Sequence, residues 1–195
     1  KKKDTLHSLS KKFKFDFGEK YLKKYKKFST VIIIGMGGSI LGAKAIHHFM
    51  QHKIKKDFLF IDNLDRSKIV NLNKKRLKNA LFIIVSKSGN TIETLANINL
   101  LKKIKLNLSN TILISEDGNN AIMELSKKSK IPVIKHKKYI SGRYSVLSEP
   151  GMVPSHLMGL KIKNFRKNLL DYFKGKKKKL LAENVSKISE IYLSK

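Results

Sequence analysis

Two short stretches carry residue types that handle anions. The first is Gly35-Met36-Gly37-Gly38-Ser39-Ile40-Leu41-Gly42, directly after an apolar run and at the start of a helical pattern. Glycines at such a turn let the backbone approach another group closely, and a helix start offers unpaired N–H groups at the positive end of its dipole. The second is Ser86-Lys87-Ser88-Gly89-Asn90-Thr91, again between an apolar run and a helical pattern, with Glu93 in the first turn. Capping by Ser88 or Asn90 accounts for one such residue. Hydroxyls, an amide and a glycine crowded into six residues go further, and make a neutral, donor-rich cradle suited to a terminal phosphate. The hydroxyls, amide and glycine of 86–91 are therefore candidate phosphate contacts.

The first stretch does not make a dinucleotide fingerprint, because Gly35 and Gly37 would need a glycine where Ile40 stands. Asp62, twenty residues beyond Gly42, is nonetheless placed where a ribose contact would lie, so a dinucleotide fold stays open on the residues alone. His48 and His52 have i, i+4 spacing, but two histidines without a third ligand seldom hold a metal, and none is assigned. Arg143, in Ser141-Gly142-Arg143-Tyr144-Ser145, taken by itself reads as a loop arginine paired with a carboxylate.

The elements that must position these residues follow from the apolar pattern. Candidate strands are 31–35, 58–62, 81–86, 111–115 and 132–135, alternating with helical patterns at 39–52, 67–78, 91–105 and 119–128. Runs such as Val31-Ile32-Ile33-Ile34 are continuously apolar, as strands covered on both faces are. The expected fold class is α/β, a doubly wound, five-stranded, mainly parallel sheet with flanking helices. Residues 1–28 read as a helical flank with one aromatic face, 29–160 as the α/β domain, and 161–195 as a helical extension. Residues 137–151 read as a loop, with helices over 155–172 and 176–192 and the lysine run 176–179 exposed.

Composition bounds the function. The chain has 195 residues and 43 Lys+Arg against 14 Asp+Glu, a formal charge of +29. Such a charge suggests nucleic acid, but the arginines are only Arg66, Arg76, Arg143 and Arg166, and no aromatic stacking platform accompanies the lysines. Nucleic acid is not an expected partner. The absence of cysteine removes thiol catalysis and zinc-thiolate sites. The longest mostly apolar stretch, 31–43, is short and broken by glycines, so no membrane partner is expected.

Taken together, the stretches 35–42, 86–94 and 141–148, the last followed by Gly151 and Pro154, resemble the phosphoglucose isomerase family of sugar-isomerase domains. The resemblance covers about 31–160 and implies the first of two such domains. It implies a cytoplasmic, glycolytic, homodimeric aldose–ketose isomerase acting on a sugar phosphate with no metal or organic cofactor. It implies that Gly38 and Ser39 contact substrate, that Ser86, Lys87, Ser88, Gly89, Asn90 and Thr91 line the phosphate pocket, and that Arg143 stabilises the enediolate. A guanidinium suits that task, since removing a proton beside a carbonyl leaves charge on oxygen. Asn90 stands where bacterial members usually have threonine. The family's glutamate base and its ring-opening histidine and lysine match nothing in this chain, so the chain is expected to be an N-terminal part. A regulatory sugar-phosphate sensor, or another sugar isomerase using the same domain, is the alternative.

Overall fold

A computed structural model describes residues 6–10, 12–64, 77, 79–101 and 106–194. Among the described residues five strands form one sheet: β1 (Thr30–Gly35), β2 (Asp57–Ile61), β3 (Ala80–Val85), β4 (Thr111–Ser115) and β5 (Val133–Lys135). Every pairing is parallel and the order is β2-β1-β3-β4-β5. The helices are α1 (Glu19–Leu22), α2 (Leu41–Phe49), α3 (Ile92–Leu100), α4 (Ala121–Ser129), α5 (Glu149–Leu157), α6 (Ile162–Arg166) and α7 (Gly175–Leu193). The expected helix at 67–78 lies, but for Leu77, outside the described residues.

The continuous apolar runs are explained by two cores. Val31, Ile33, Leu81 and Ile83 face one layer with Leu22, Tyr25, Ala43, Met152 and Leu157, while Ile32, Ile34, Phe82 and Ile84 face the other with Leu101 and Ile122. Successive strand residues point to opposite faces, so a strand covered on both must be apolar at every position. Each fully buried aliphatic side chain contributes about 1.5–3 kcal/mol of burial energy.

The N-terminal flank joins this core through buried Leu22 and Tyr25, with Phe15, Phe17, Tyr21 and Phe28 packed against it. Fully buried Tyr25 donates its hydroxyl toward the carbonyls of Leu108 (3.0 Å) and Thr111 (3.3 Å), and burial pushes its pKa upward. Tyr25→Phe leaves those carbonyls without their donor. The expected cost is about 1–2 kcal/mol, measured as a lower midpoint in urea unfolding.

The C-terminal third departs from the sequence expectation. Helix α5 starts at Glu149, inside the stretch read as a loop, because Pro150 occupies the first turn, where its missing N–H costs nothing. The helix also carries Pro154 and is followed by Gly159, whose φ of +85° is the left-handed conformation of a helix stop. Asn168, at φ +57°, interrupts the chain again after α6. A single helix over 155–172 is thus replaced by α5, α6 and a 3-10 turn at Leu169–Phe173. All nine residues of α5 are buried, whereas none of α7 is, and Lys176–Lys179 lie on its exposed surface.

Candidate functional site

In this strand order the chain leaves β1 toward β2 on one side and later returns to β3 on the other. A crevice therefore opens beyond the carboxyl ends of β1 and β3, where ligands of doubly wound sheets bind. The register pairs Gly35 with Val85, so the turn after β1 and the hydroxyl-rich turn after β3 emerge side by side. The two glycine- and hydroxyl-rich stretches are brought to one place.

A third segment lies over the first turn. The 3-10 segment Gly142–Leu147 packs so tightly that a Cβ on Gly38 would stand 2.2 Å from the Gly142 carbonyl carbon and 2.8 Å from the Arg143 nitrogen. The Ser145 hydroxyl reaches the carbonyls of Gly38 (2.9 Å) and Gly142 (2.7 Å), and Ser148 Oγ donates to the Ser145 carbonyl (2.9 Å). Val146 fills the space left by two further glycines: a Cβ on Gly42 would meet its Cβ at 2.9 Å, and one on Gly151 its carbonyl oxygen at 2.0 Å. The glycine at 38 is thus required by the backbone packed on it. Arg143 is carried over the β1 turn, is exposed, and among the described residues has no hydrogen-bond or ion-pair partner. The loop-arginine reading, with a paired carboxylate, is not realised there.

The turn after β3 is organised around buried Ser86. Its Oγ lies 3.0 Å from Thr91 Oγ1 and accepts the Gly89 N–H at 3.1 Å, while Ser88 Oγ lies 3.5 Å from Thr91 Oγ1 and accepts the Asn90 N–H at 3.3 Å. Gly89 has φ +71°, and a Cβ there would stand 2.0 Å from Asn120 Oδ1. Thr91 is the N-cap residue of α3, yet its side chain makes no capping bond. Three hydroxyls therefore gather at a helix start whose first N–H groups are not capped by that residue.

Two candidates are engaged elsewhere. Asn90 does not cap α3; its Oδ1 accepts the Ala121 N–H at 2.9 Å, tying the turn to the start of α4. The Lys87 ammonium pairs with Glu116 (3.0 Å) and donates to the Lys138 carbonyl (3.1 Å). Asp62 pairs with Lys44 at 2.5 Å, which leaves the dinucleotide reading without its distinguishing acid. His48 lies on α2 but His52 falls in the separate turn Gln51–Lys53, so the two do not share one helix face. Among the described residues no group of three His, Asp or Glu side chains is placed to hold a metal.

Reading the sequence missed the clamp of Ser145, Val146 and Ser148, and it missed His136. That imidazole is buried beside the Lys87–Glu116 pair, its Nδ1 3.0 Å from the Lys137 carbonyl. Burial pushes His136 below the ordinary histidine range, and it does the same to His47 and His156. The unfolded chain takes up protons near pH 6.5, before these folded-state imidazoles do, so their effect is to lower stability as pH falls through about 6.5. Glu149 works in the opposite sense, since burial raises its pKa. The melting temperature of His136→Gln is expected to change less between about pH 7.5 and 5.5 than that of the parent chain, as read by thermal denaturation at both values.

Fold and crevice define an α/β sugar-isomerase (SIS-type) domain. The structure superposes on a glucose-6-phosphate isomerase from Chlamydia trachomatis with a TM-score of 0.62 and 28% identity, covering 86% of this chain and 32% of that one. It shares its fold with a hypothetical protein from Thermus thermophilus at a TM-score of 0.68 and 23% identity, covering 80% of this chain and 40% of that one. The phosphoglucose isomerase family profile matches residues 1–174, and the chain belongs to that family. A relative named glucose-6-phosphate isomerase in Methanocaldococcus jannaschii is 35% identical over 147 residues, 72% of this chain and 36% of the relative. Another, named probable glucose-6-phosphate isomerase in Methanococcus maripaludis, is 32% identical over 177 residues, 85% of this chain and 39% of the relative. The chain thus spans less than half the length of these relatives. No helix among the described residues is long and apolar enough to cross a membrane.

Proposed function

We propose that this chain is the sugar-phosphate-binding part of a glucose-6-phosphate isomerase, which interconverts glucose 6-phosphate and fructose 6-phosphate in glycolysis and gluconeogenesis. The observation that carries the reading is the convergence of three segments of a family member at one crevice: the β1 turn, the hydroxyl cradle and the arginine-bearing segment. In this reading residues 29–160 bind substrate, 1–28 form a flank, and 161–195 lead toward a second domain. The whole protein is read as a cytoplasmic homodimer, on the strength of the resemblance.

The chemistry divides among the segments. Ser86, Ser88 and Thr91 hold the phosphate with the first N–H groups of α3, and the Gly38–Ser39 turn bounds the sugar. Arg143 meets the oxygen on which charge develops as the C2 proton leaves, a contact stronger in the transition state than in the ground state. The proton itself needs a carboxylate base. Glu149, the glutamate nearest Arg143 in sequence, has no solvent exposure and accepts the Asp16 N–H at 3.0 Å, which unfits it for the task. The family resemblance assigns the base to the length of the relatives that this chain does not span. No metal or organic cofactor enters this scheme.

Titration of the chain with glucose 6-phosphate and with inorganic phosphate tests the reading. Thr91→Val is expected to weaken both by roughly tenfold or more, because the hydroxyl shared by Ser86 and Ser88 is lost. Equal binding by parent and variant would contradict the assigned pocket. Isomerisation is expected to be undetectable for the chain alone, and turnover surviving Arg143→Ala would overturn the role of that residue.

A further inference from the structure

Arg166, the last residue of α6, has a guanidinium that joins two distant segments. It donates from Nη1 to the carbonyl of Leu147 (3.2 Å) and from Nη2 to that of Ser10 (2.5 Å). Its charge centre lies 4.9 Å from the Phe13 ring centroid and 5.6 Å from that of Phe15. Leu147 ends the segment that carries Arg143, and Ser10, Phe13 and Phe15 belong to the N-terminal flank.

The far end of this flank is tied to the same region independently. The Asp16 N–H donates to Glu149 Oε1 at 3.0 Å, and Asp16 Oδ2 accepts the Lys135 N–H at 2.6 Å. Glu149 is the first residue of α5, directly beyond the arginine-bearing segment, and Lys135 closes β5. The flank is thus held at Ser10 through Arg166 and at Asp16 through Glu149 and β5, with the segment 142–148 joined to both anchors. A planar fork can serve two carbonyls and stack on a ring at once, which a lysine ammonium does not reproduce.

We infer that Ser10 and residues 12–16 form a strap across the arginine-bearing segment, and that Arg166 is the positioning residue that locks Arg143 over the β1 turn. Arg166 meets no substrate; it removes freedom from the segment whose backbone rests on Gly38. Preorganisation of this kind matters to a charge-stabilising group, since its contact must already be aimed when charge appears. The inference rests on the proposed role of Arg143.

Two ligands and one exchange measurement test it. Inorganic phosphate reports the hydroxyl cradle, whereas a phosphorylated six-carbon sugar acid, with its carboxylate where the enediolate would develop, also reports Arg143. Arg166→Ala and Arg166→Lys are expected to lose roughly tenfold or more in affinity for the acid while phosphate affinity stays within about twofold. Amide hydrogen exchange is expected to accelerate in 142–148, at Ser10 and in 12–16, with the central strands unchanged. Equal loss for both ligands would reduce Arg166 to general stability and overturn the inference, as would full rescue by lysine or unchanged exchange in 142–148. A parent chain that bound the acid no better than phosphate, indifferent to Arg143→Ala, would instead sink the reading of Arg143; the exchange rates in 142–148 would then still decide the strap.

Discussion

Gly38→Ala is expected to cost the chain about 3 kcal/mol of stability, and with it sugar-phosphate binding. The methyl group would stand 2.2 Å from a backbone carbon and 2.3 Å from a backbone oxygen of Gly142, and neither atom is the end of a flexible side chain. Either the β1 turn or the arginine-bearing segment must move. The hydrogen bond from the Ser145 hydroxyl to the Gly38 carbonyl spans this contact, so movement removes it too. For a chain of this length the melting temperature should fall by about 6–12 °C. Gly118→Ala is the natural control, because a Cβ there meets nothing within 4 Å and is expected to change stability by less than about 0.5 kcal/mol. Thermal denaturation of the two variants beside the parent checks the prediction; similar midpoints for all three would show that the close contact is not maintained in solution.

Arg143→Ala is expected to behave in the reverse way. The side chain is exposed and, among the described residues, unpartnered, so its removal should leave the melting temperature nearly unchanged. Its loss should fall on the ligand's negative charge instead. A charged hydrogen bond contributes about 1.5–3 kcal/mol, which corresponds to about 10- to 100-fold in affinity for a phosphorylated sugar acid. In a full-length isomerase of the proposed kind, removing a donor aimed at a developing oxyanion should lower kcat by about 10²- to 10³-fold with a smaller effect on KM. Arg143→Lys restores charge without the fork, and is expected to recover only part of either quantity. A large loss of stability in Arg143→Ala, with unchanged ligand affinity, would mark the residue as structural.

The contrast between these two residues shows what was legible in the chain. The strands were, because burial on both faces demands uninterrupted apolar runs, and all five lie within a residue of their expected bounds. The two turns were also legible, as local clusters at strand ends. What was hidden is long-range. Gly38 looked like a glycine waiting for a ligand, but its missing side chain is filled by Gly142, and the accompanying Ser145 bond crosses 107 residues of sequence. Asn90 looked like a cap for the helix beside it, yet it bonds to Ala121, 31 residues away. Lys87 sits inside the hydroxyl turn but its ammonium is drawn to Glu116 and Lys138 beyond the neighbouring strand ends. The helix at 149 escaped notice because Pro150 and Pro154 signal a break unless the first-turn position of one and the tertiary burial of the other are known.

The charge of +29 also takes a narrower meaning. The proposed phosphate contacts are hydroxyls and backbone donors, and the exposed lysines of α7 lie on a separate helix. The lysine excess is expected to raise the local concentration of a dianionic ligand, an influence that weakens with added salt.

That distinction leads to the most direct test of the account. Amide-proton spectra of the chain, recorded during titration with glucose 6-phosphate at about 0.15 M salt, locate the ligand residue by residue. The account predicts saturable shifts concentrated at 36–40, 86–92 and 142–145, lost in Thr91→Val. Shifts spread over the lysines of 174–187 and abolished by salt, or no saturable shifts at the three segments, would contradict it.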